Sequence, residues 1–358
     1  MFKTQKNNPL GIDISEHSLK LVQLNQSGDK VGLEAISRVD LPAGVIEEGE
    51  ILDEKRAVNF LHSLVNKPSR GKISSHRVAA CLPESKTFVK LLEISSTTGN
   101  LSEAVEMEIE KHIPFSASEV YMDWQQIEKK KNNSLVLVGV SPQKNVDQYY
   151  NLFTQANLSV EALEIEPIAI TRSLLKEEAP NFKNTLGKNY IIIDLGYAHT
   201  TIIFYSRNTI LFTSNVPLSG IDITKLISEK LKISEKKASE KKKKLSSGDK
   251  DYKKIKGLLE EKYKILDQKL SRALEFYYEQ FSERGAMESV LLVGGGTHLP
   301  GIKKSFTCLP DSVEIKEGDP LIHLEKDKKI KQVFKDRDKM SYVTSLGLSL
   351  SGIFKKEF

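Results

Sequence analysis

Two stretches of the chain share a pattern in which an aspartate interrupts a run of apolar residues that otherwise reads as a β-strand. Near the N-terminus, PLGIDIS and LKLVQLN predict two strands separated by the turn-like EHS, and KVGLEAISRVDL predicts a third. The pattern returns in NYIIIDLGYAHTTIIFYS, from Asn189 to Ser206. An acidic side chain is costly to bury alone, so each pattern raises the question of what accompanies the aspartate.

Helical and strand patterns alternate between these two stretches. DEKRAVNFLHSLVNK has apolar residues at helical spacing, and HRVAACLP returns as a strand. A charged helix (SEAVEMEIEKHIPFS), two strands (EVYMDWQQIE and NSLVLVGVS) and a second helix (NVDQYYNLFTQANL) follow. We therefore expect a first α/β domain that carries a smaller inserted α/β unit, and a second domain that opens at Asn189. Further on, an apolar stripe from Ile255 to Phe281 predicts a long helix. Packing against the second domain is favoured over a coiled-coil partner site, because the heptad spacing is interrupted around Lys262.

Size and composition are those of a two-domain globular protein. The chain has 358 residues, of which 39% are hydrophobic and 28% are charged. Cys81 and Cys308 have apolar neighbours and no metal-binding spacing, which indicates buried thiols in a reducing compartment. The sequence contains neither a signal-peptide pattern nor a transmembrane run, so we expect a cytoplasmic location.

The net charge of +5 raises the question of nucleic-acid binding. Much of the lysine excess lies in one segment, KISEKKASEKKKKLSSGDKDYKKIKG, where glutamates are interleaved with the lysines. Aromatic residues do not alternate with these lysines as a base-stacking platform would require. A solvated helix face is therefore favoured over an RNA-binding patch, and we expect no nucleic-acid partner.

The two interrupted strand pairs suit phosphate and magnesium binding. A hairpin tip with Gly, Ser and Thr offers backbone N–H groups to phosphates, and an aspartate just before the tip can hold a hydrated Mg²⁺. For either hairpin alone, an aspartate that caps its own turn is favoured over a ligand site. A third element, SVLLVGGGTHLPGI, runs from a strand into glycines that let the backbone approach a flat ligand. The order of the three elements makes the nucleotide interpretation more specific than any one of them.

In these motifs the sequence resembles the actin-like ATPase superfamily and, within it, the FtsA-like branch. GIDIS with Lys20 resembles the first phosphate motif, DLGYAHTT the second and GGGTHLPG the adenosine motif. EIEPIAI and TSLGLSL resemble the two connecting helices. EIEKHIPF, LSGIDITKLI and SRALEFYYEQF narrow the resemblance to the PilM family of type IV pilus assembly, and it spans residues 9–354.

The resemblance implies an α/β, actin-like fold, in which a ribonuclease H-like unit is duplicated into two lobes and an FtsA-type α/β subdomain is inserted. The implied first lobe comprises residues 8–84, 166–188 and 341–358, and the inserted subdomain residues 85–165. The second lobe would comprise residues 189–340, with a helical insertion at about 225–288. ATP or ADP with Mg²⁺ would bind in the cleft.

The resemblance also implies a role for each matching residue. Asp13 and Asp194 would lie near the magnesium ion, and Glu166 would orient the attacking water. Phosphate contacts would come from Ser15, Lys20, Gly196 and Thr200, adenosine contacts from Gly295, Gly296 and Thr297, and ribose contacts from Glu240 and Lys242. Tyr197 departs from the superfamily pattern, because actin has an acidic residue there. One outer-shell metal ligand is thereby lost, so we expect at most slow ATPase activity.

Two classes of function follow from the resemblance. The PilM family implies a nucleotide-binding component of the inner-membrane pilus platform, which binds the N-terminal cytoplasmic peptide of PilN. Other platform proteins and assembly ATPases would be further partners, and the protein would be peripheral to the inner membrane through them. The alternative is an FtsA-like filament-forming protein, but the C-terminal SGIFKKEF is too short for a membrane-targeting helix. A sugar or acetate kinase is a more distant alternative.

Overall fold

A computed structural model describes residues 8–95, 100–129, 131–176, 188–326, 328–334 and 339–354. The chain divides into two units. The first unit comprises Met1–Glu178 and Asp319–Phe358, and the second unit is Ala179–Gly318. Among the described residues, no helix combines the length and the apolar composition that a membrane span needs.

The N-terminal part of the first unit alternates strands and helices. Its strands are β1 (Leu10–Ile14), β2 (Ser18–Ser27), β3 (Lys30–Asp40), β4 (Ile46–Glu47), β5 (Glu50–Ile51), β6 (Arg70–Gly71), β7 (Arg77–Leu82), β8 (Phe88–Ser95), β9 (Val120–Lys129), β10 (Asn133–Pro142) and β11 (Ser159–Ile165). Its helices are α1 (Glu54–Asn66), α2 (Leu101–Ile109), α3 (Gln143–Gln155) and α4 (Glu166–Leu174).

One six-stranded sheet organises the first unit, with the strand order β11-β7-β1-β2-β3-β6. All five residues of β1 are buried, because the strand lies in the middle of the sheet. Strands β1, β7 and β11 run parallel, so their carboxyl ends meet at the same edge. Helices α1 and α3 cover the sheet through Leu61, Leu64, Tyr149 and Phe153, which are buried in its main core.

A smaller layer is formed by strands β8, β10 and β9, which pair antiparallel in that order. Helix α2 packs on this layer through Val105 and Ile109, and the layer has a core of its own. Helix α3 and strand β11 also fall inside the predicted insert, but they belong to the six-stranded sheet and its core. The separate layer is thus built from β8, α2, β9 and β10.

The second unit contains a five-stranded sheet and three helices. Its elements are β12 (Tyr190–Leu195), β13 (Thr200–Ser206), β14 (Thr209–Val216), α5 (Gly220–Leu231), α6 (Glu235–Lys244), α7 (Lys250–Gln280), β15 (Ser289–Val293) and β16 (Glu314–Glu317). The strand order is β16-β15-β12-β13-β14, in which β12 pairs parallel with β15 and antiparallel with β13. The predicted stripe of α7 is buried from Ile255 to Tyr277, as expected for core packing.

The chain then returns to the first unit with α8 (Lys328–Val333) and α9 (Val343–Ser351). Helix α9 crosses α4 at Gly347, where a Cβ atom would overlap the backbone carbonyl of Ala169. Only glycine allows the two backbones to approach this closely. The Arg172 guanidinium secures the crossing, because it donates to the Glu164 carboxylate at 2.8 Å and to the Gly347 carbonyl oxygen at 2.9 Å.

Candidate functional site

The first predicted phosphate turn joins β1 to β2 and carries a buried ion pair. Asp13 lies opposite Lys20 in the hairpin register, and Lys20 Nζ donates to Asp13 Oδ2 at 2.7 Å. The two side chains are only 12% and 9% exposed, so the lysine supplies the counter-charge that the buried carboxylate needs. The structure thus brings two of the predicted ligands into direct contact.

Ser15 shapes the same turn from within. Its hydroxyl donates to the Ser18 carbonyl oxygen at 2.9 Å and accepts from the Ser18 backbone N–H at 3.2 Å. Its own backbone N–H also donates to the Ser18 carbonyl oxygen. Through these hydrogen bonds the Ser15 side chain stabilises the turn.

Glu166 lies at the edge where the parallel strands β1, β7 and β11 end. It is the first residue of α4, directly after β11, and its Oε1 accepts a hydrogen bond from Thr344 Oγ1 of α9 at 3.0 Å. Burial, together with the negative charges of Glu166, Glu164 and Asp13, raises the pKa of the Cys81 thiol well above its ordinary value. Asp13 and Glu166 thus lie at the ends of the two strands that flank β7.

In the second unit, Asp194 follows the apolar run of β12 and contacts the glycine-rich turn. It lies opposite Thr201 on β13 and Val293 on β15. Gly294 comes next after β15 with a φ of +80°, and a Cβ atom there would overlap Asp194 Oδ1. The first glycine of the predicted adenosine motif therefore packs directly against the carboxylate, and only glycine fits there.

The second predicted phosphate turn, from Gly196 to Thr200, is fixed to the start of α5. The Gly220 and Ile221 backbone N–H groups donate to the carbonyl oxygens of Gly196 and Tyr197, at 3.0 and 2.9 Å. A Cβ atom at Gly196 would lie 2.6 Å from the His199 carbonyl oxygen, so the turn requires glycine. Thr200, where β13 begins, is only 1% exposed.

The glycine-rich turn offers backbone and open space. A Cβ atom at Gly295 would meet no other atom within 4 Å, whereas Gly296 is tied by its N–H to the Leu195 carbonyl oxygen at 3.0 Å. Thr297 is buried, and its hydroxyl donates to the Gly294 carbonyl oxygen at 3.0 Å. The backbone at Gly295 is thus exposed and unobstructed, while Thr297 holds the turn.

The two predicted ribose ligands on α6 lie in different environments. Lys242 Nζ donates to the Gly220 carbonyl oxygen and, at 2.8 Å, to Thr224 Oγ1, so it fastens α6 to the start of α5. Burial and the neighbouring charge of Lys243 lower the pKa of Lys242 to about 8. Glu240 is exposed, and two residues of separation place it on nearly the opposite side of the helix. The structure does not bring these two side chains together.

The residues present suit a magnesium-bound nucleotide. Each unit has its own aspartate near the end of a buried strand, and carboxylate oxygens are the ligands that Mg²⁺ prefers. Each aspartate is followed by a tight turn, and in the second unit the backbone at Gly295 is exposed. Sequence reasoning missed Thr344 and Thr224. Thr344 contacts Glu166, which is distant in sequence, and Thr224 contacts Lys242, which lies on another helix.

Comparison with known proteins identifies the family. The family model for the type IV pilus assembly protein PilM matches residues 11–353. A chain in the solved PilM-PilN type IV pilus biogenesis complex is similar at 23% identity with a TM-score of 0.79, and 97% of this chain and 99% of that chain are covered.

Two other solved structures share the fold more distantly. MreB5 of Spiroplasma citri bound to ADP is similar at 13% identity with a TM-score of 0.56, over 97% of this chain and 96% of that chain. The ethanolamine utilization protein EutJ from Carboxydothermus hydrogenoformans is similar at 16% identity with a TM-score of 0.55, over 96% of this chain and 89% of that chain.

These likenesses confirm the predicted α/β, actin-like fold. The family match begins in strand β1, extends beyond helix α9 and covers nearly the whole sequence. The chain therefore belongs to the family of type IV pilus assembly proteins PilM.

Proposed function

We propose that this chain is a cytoplasmic, ATP-binding component of the type IV pilus assembly platform. In this role it binds the N-terminal cytoplasmic peptide of PilN and is held at the inner membrane through that partner. The family match supports pilus assembly, and a similar chain has been solved in a complex with PilN. The bound nucleotide would control the affinity for the peptide.

The observation that carries nucleotide binding is the close packing of Gly294 against the Asp194 carboxylate. This contact joins two of the three predicted motifs, although their residues are far apart in the sequence. The solved MreB5 structure, which shares the fold, is bound to ADP and lends support. If Asp194 served only as a catalytic carboxylate, it would not need a glycine-rich turn beside it, so the turn favours nucleotide binding.

The residue roles follow from the contacts in each unit. Asp13 and Asp194 would hold Mg²⁺, which neutralises phosphate charge when it is bound. Lys20 pairs with Asp13 and would also offer its ammonium group to a phosphate. Glu166 would orient the attacking water. Thr344 is a positioning residue, because it donates to the Glu166 carboxylate and restricts its direction.

We propose the outer edge of β9 as the place where the PilN peptide binds. Within the described residues, β9 pairs with β10 along one side, and no strand pairs with its other side. An exposed strand edge can accept an extended peptide through backbone hydrogen bonds. Tyr121 and Gln125 are exposed on one face of β9, where they would contact side chains of such a peptide.

A peptide titration with matched variants tests this site. The titrated ligand is a synthetic PilN N-terminal peptide, and calorimetry reports its affinity. Lys substitutions at Tyr121 and Gln125 should weaken binding about tenfold, because they replace the two side chains that would contact the peptide's own side chains. The control is the same pair of changes at Tyr278 and Gln280, since Tyr121 and Tyr278 are exposed to similar extents, 49% and 43%.

Each outcome of this titration has a separate meaning. Unchanged affinity in the Tyr121→Lys, Gln125→Lys variant would move the peptide site away from β9. Absence of binding to the intact protein would contradict PilN as the partner.

A further inference from the structure

The positive charge of this chain is concentrated in one part of the second unit. Between Gly220 and Lys264 there are 15 lysines, no arginine and 8 acidic residues, a net charge of +7. The whole chain carries only +5, so the rest is slightly acidic. The uneven distribution places a strong local positive potential on α5, α6 and α7.

Exposed lysines cover α6 and the start of α7. We call them the lysine surface, which consists of Lys236, Lys237, Lys241, Lys243, Lys244, Lys250, Lys253 and Lys254. Asp251 at the start of α7 pairs with Lys241 of α6 and, at 3.5 Å, with Lys254 of α7. This shared partner brings the lysines of both helices into one continuous surface.

Acidic side chains neutralise only part of this surface. Within the part of the chain that the structure describes, no acidic group lies within ion-pair distance of Lys237, Lys243 or Lys244. The nearby positive charge also acts on Lys242, whose pKa is lowered by burial and then by Lys243. The surface therefore has an excess of positive charge for an external anion to balance.

The chemistry of the surface favours lipid headgroups over nucleic acid. It has no arginine for bidentate contacts to bases or phosphates, and lysine acts as a hydrated point charge. Its aromatic neighbours Tyr252 and Tyr263 are buried, so they cannot stack on bases. Helix α6 exposes no large apolar side chain, and it can rest on a bilayer but not insert into it.

We propose that the lysine surface binds the anionic headgroups of a lipid bilayer and holds the second unit against the membrane surface. This contact goes beyond the proposed attachment through PilN and does not depend on it. Each lysine near an anionic bilayer adds a modest attraction that salt screens. Two weak attachments, one through the peptide and one through lipid, together would hold the protein far better than either alone.

Vesicle sedimentation with the full chain tests the proposal. Vesicles of phosphatidylcholine with about 30% phosphatidylglycerol should bind the protein at about 50 mM salt and release it at about 300 mM, whereas pure phosphatidylcholine should not bind it. The K237Q/K243Q/K244Q variant should bind about tenfold more weakly or worse. The control variant K55Q/K67Q/K72Q loses the same charge from exposed positions of the first unit and should bind like the wild type.

Several results would overturn the proposal. They are equal binding to neutral vesicles, equal weakening in both variants, and tighter binding to a single-stranded RNA of about 20 nucleotides than to the anionic vesicles. Thermal melting of both variants checks that they fold. The PilN peptide titration on the K237Q/K243Q/K244Q variant should give wild-type affinity, which separates a failure of lipid binding from a failure of the proposed function.

Discussion

At the scale of single residues, the two candidate magnesium ligands are stabilised in different ways. Asp13 has a buried lysine partner, Lys20, at 2.7 Å. Asp194 instead lies against the backbone of Gly294, at the end of a strand whose other residues are mostly buried. Asp13 would therefore hold a cation in competition with Lys20.

Replacing Asp194 should therefore reduce the effect of nucleotide on stability. For the wild type, Mg-ATP at about a hundred times its dissociation constant should stabilise the fold by about 2.7 kcal/mol, seen as a higher melting temperature. Asp194→Asn should lose most of this gain. The exposed Asp311 supplies the control, because Asp311→Asn removes the same charge away from the motifs. A wild type whose melting is unchanged by millimolar Mg-ATP would refute nucleotide binding.

Lys242 gives the stability a defined dependence on pH. Burial lowers its pKa from 10.5 to about 8 in the folded chain, so between these values the unfolded chain binds more protons. The contribution of Lys242 to the free energy of unfolding should then rise with pH across this window, and it is lost as the pH falls toward 8. The raised pKa of the Cys81 thiol acts in the opposite direction, so the test is a difference between variants. In urea denaturation from pH 8 to about 9.5, the free energy of unfolding of the wild type minus that of Lys242→Met should rise with pH. The same difference taken with the exposed Lys237→Met should stay flat, and a rise there would contradict the role of Lys242.

At the scale of elements, the crossing of α4 and α9 depends on Gly347. Gly347→Ala should lower the free energy of unfolding by about 2–3 kcal/mol, because the added carbon meets the Ala169 backbone, which cannot move aside. Gly257→Ala is the control within α7, since an added Cβ atom there meets nothing within 4 Å. It should raise stability by about 1 kcal/mol through helix propensity. Urea denaturation measures both changes, and equal effects would contradict the packing argument.

Elements with strong local patterns could be predicted from the sequence. Strands β1 to β3 and the long helix α7 appear where the apolar spacing placed them. The pairing of β11 with β7 could not be read locally, because it joins residues about 80 positions apart in sequence. The candidate functional site shows the same limit of prediction from the sequence. The turn glycines have a local signal, whereas the Thr344 contact with Glu166 depends on packing between distant helices.

At the scale of the whole molecule, each unit carries a strand that ends in an aspartate and a tight turn. The first unit adds a layer with an accessible strand edge, and the second adds a basic helical surface. Under the proposed function and the further inference together, nucleotide, peptide and lipid would be bound by different parts of one chain. Coupling between ligands requires that one of them change the affinity for another by a measurable factor.

The most direct test of this account is the affinity for the PilN N-terminal peptide, measured by calorimetry with and without Mg-ATP. We predict binding in both conditions, with a severalfold difference between them, and no difference in the Asp194→Asn variant. Linkage requires that the peptide change the affinity for Mg-ATP by the same factor. Identical peptide affinities in the wild type with and without saturating Mg-ATP would contradict the proposed coupling, and absence of peptide binding would contradict the proposed function itself.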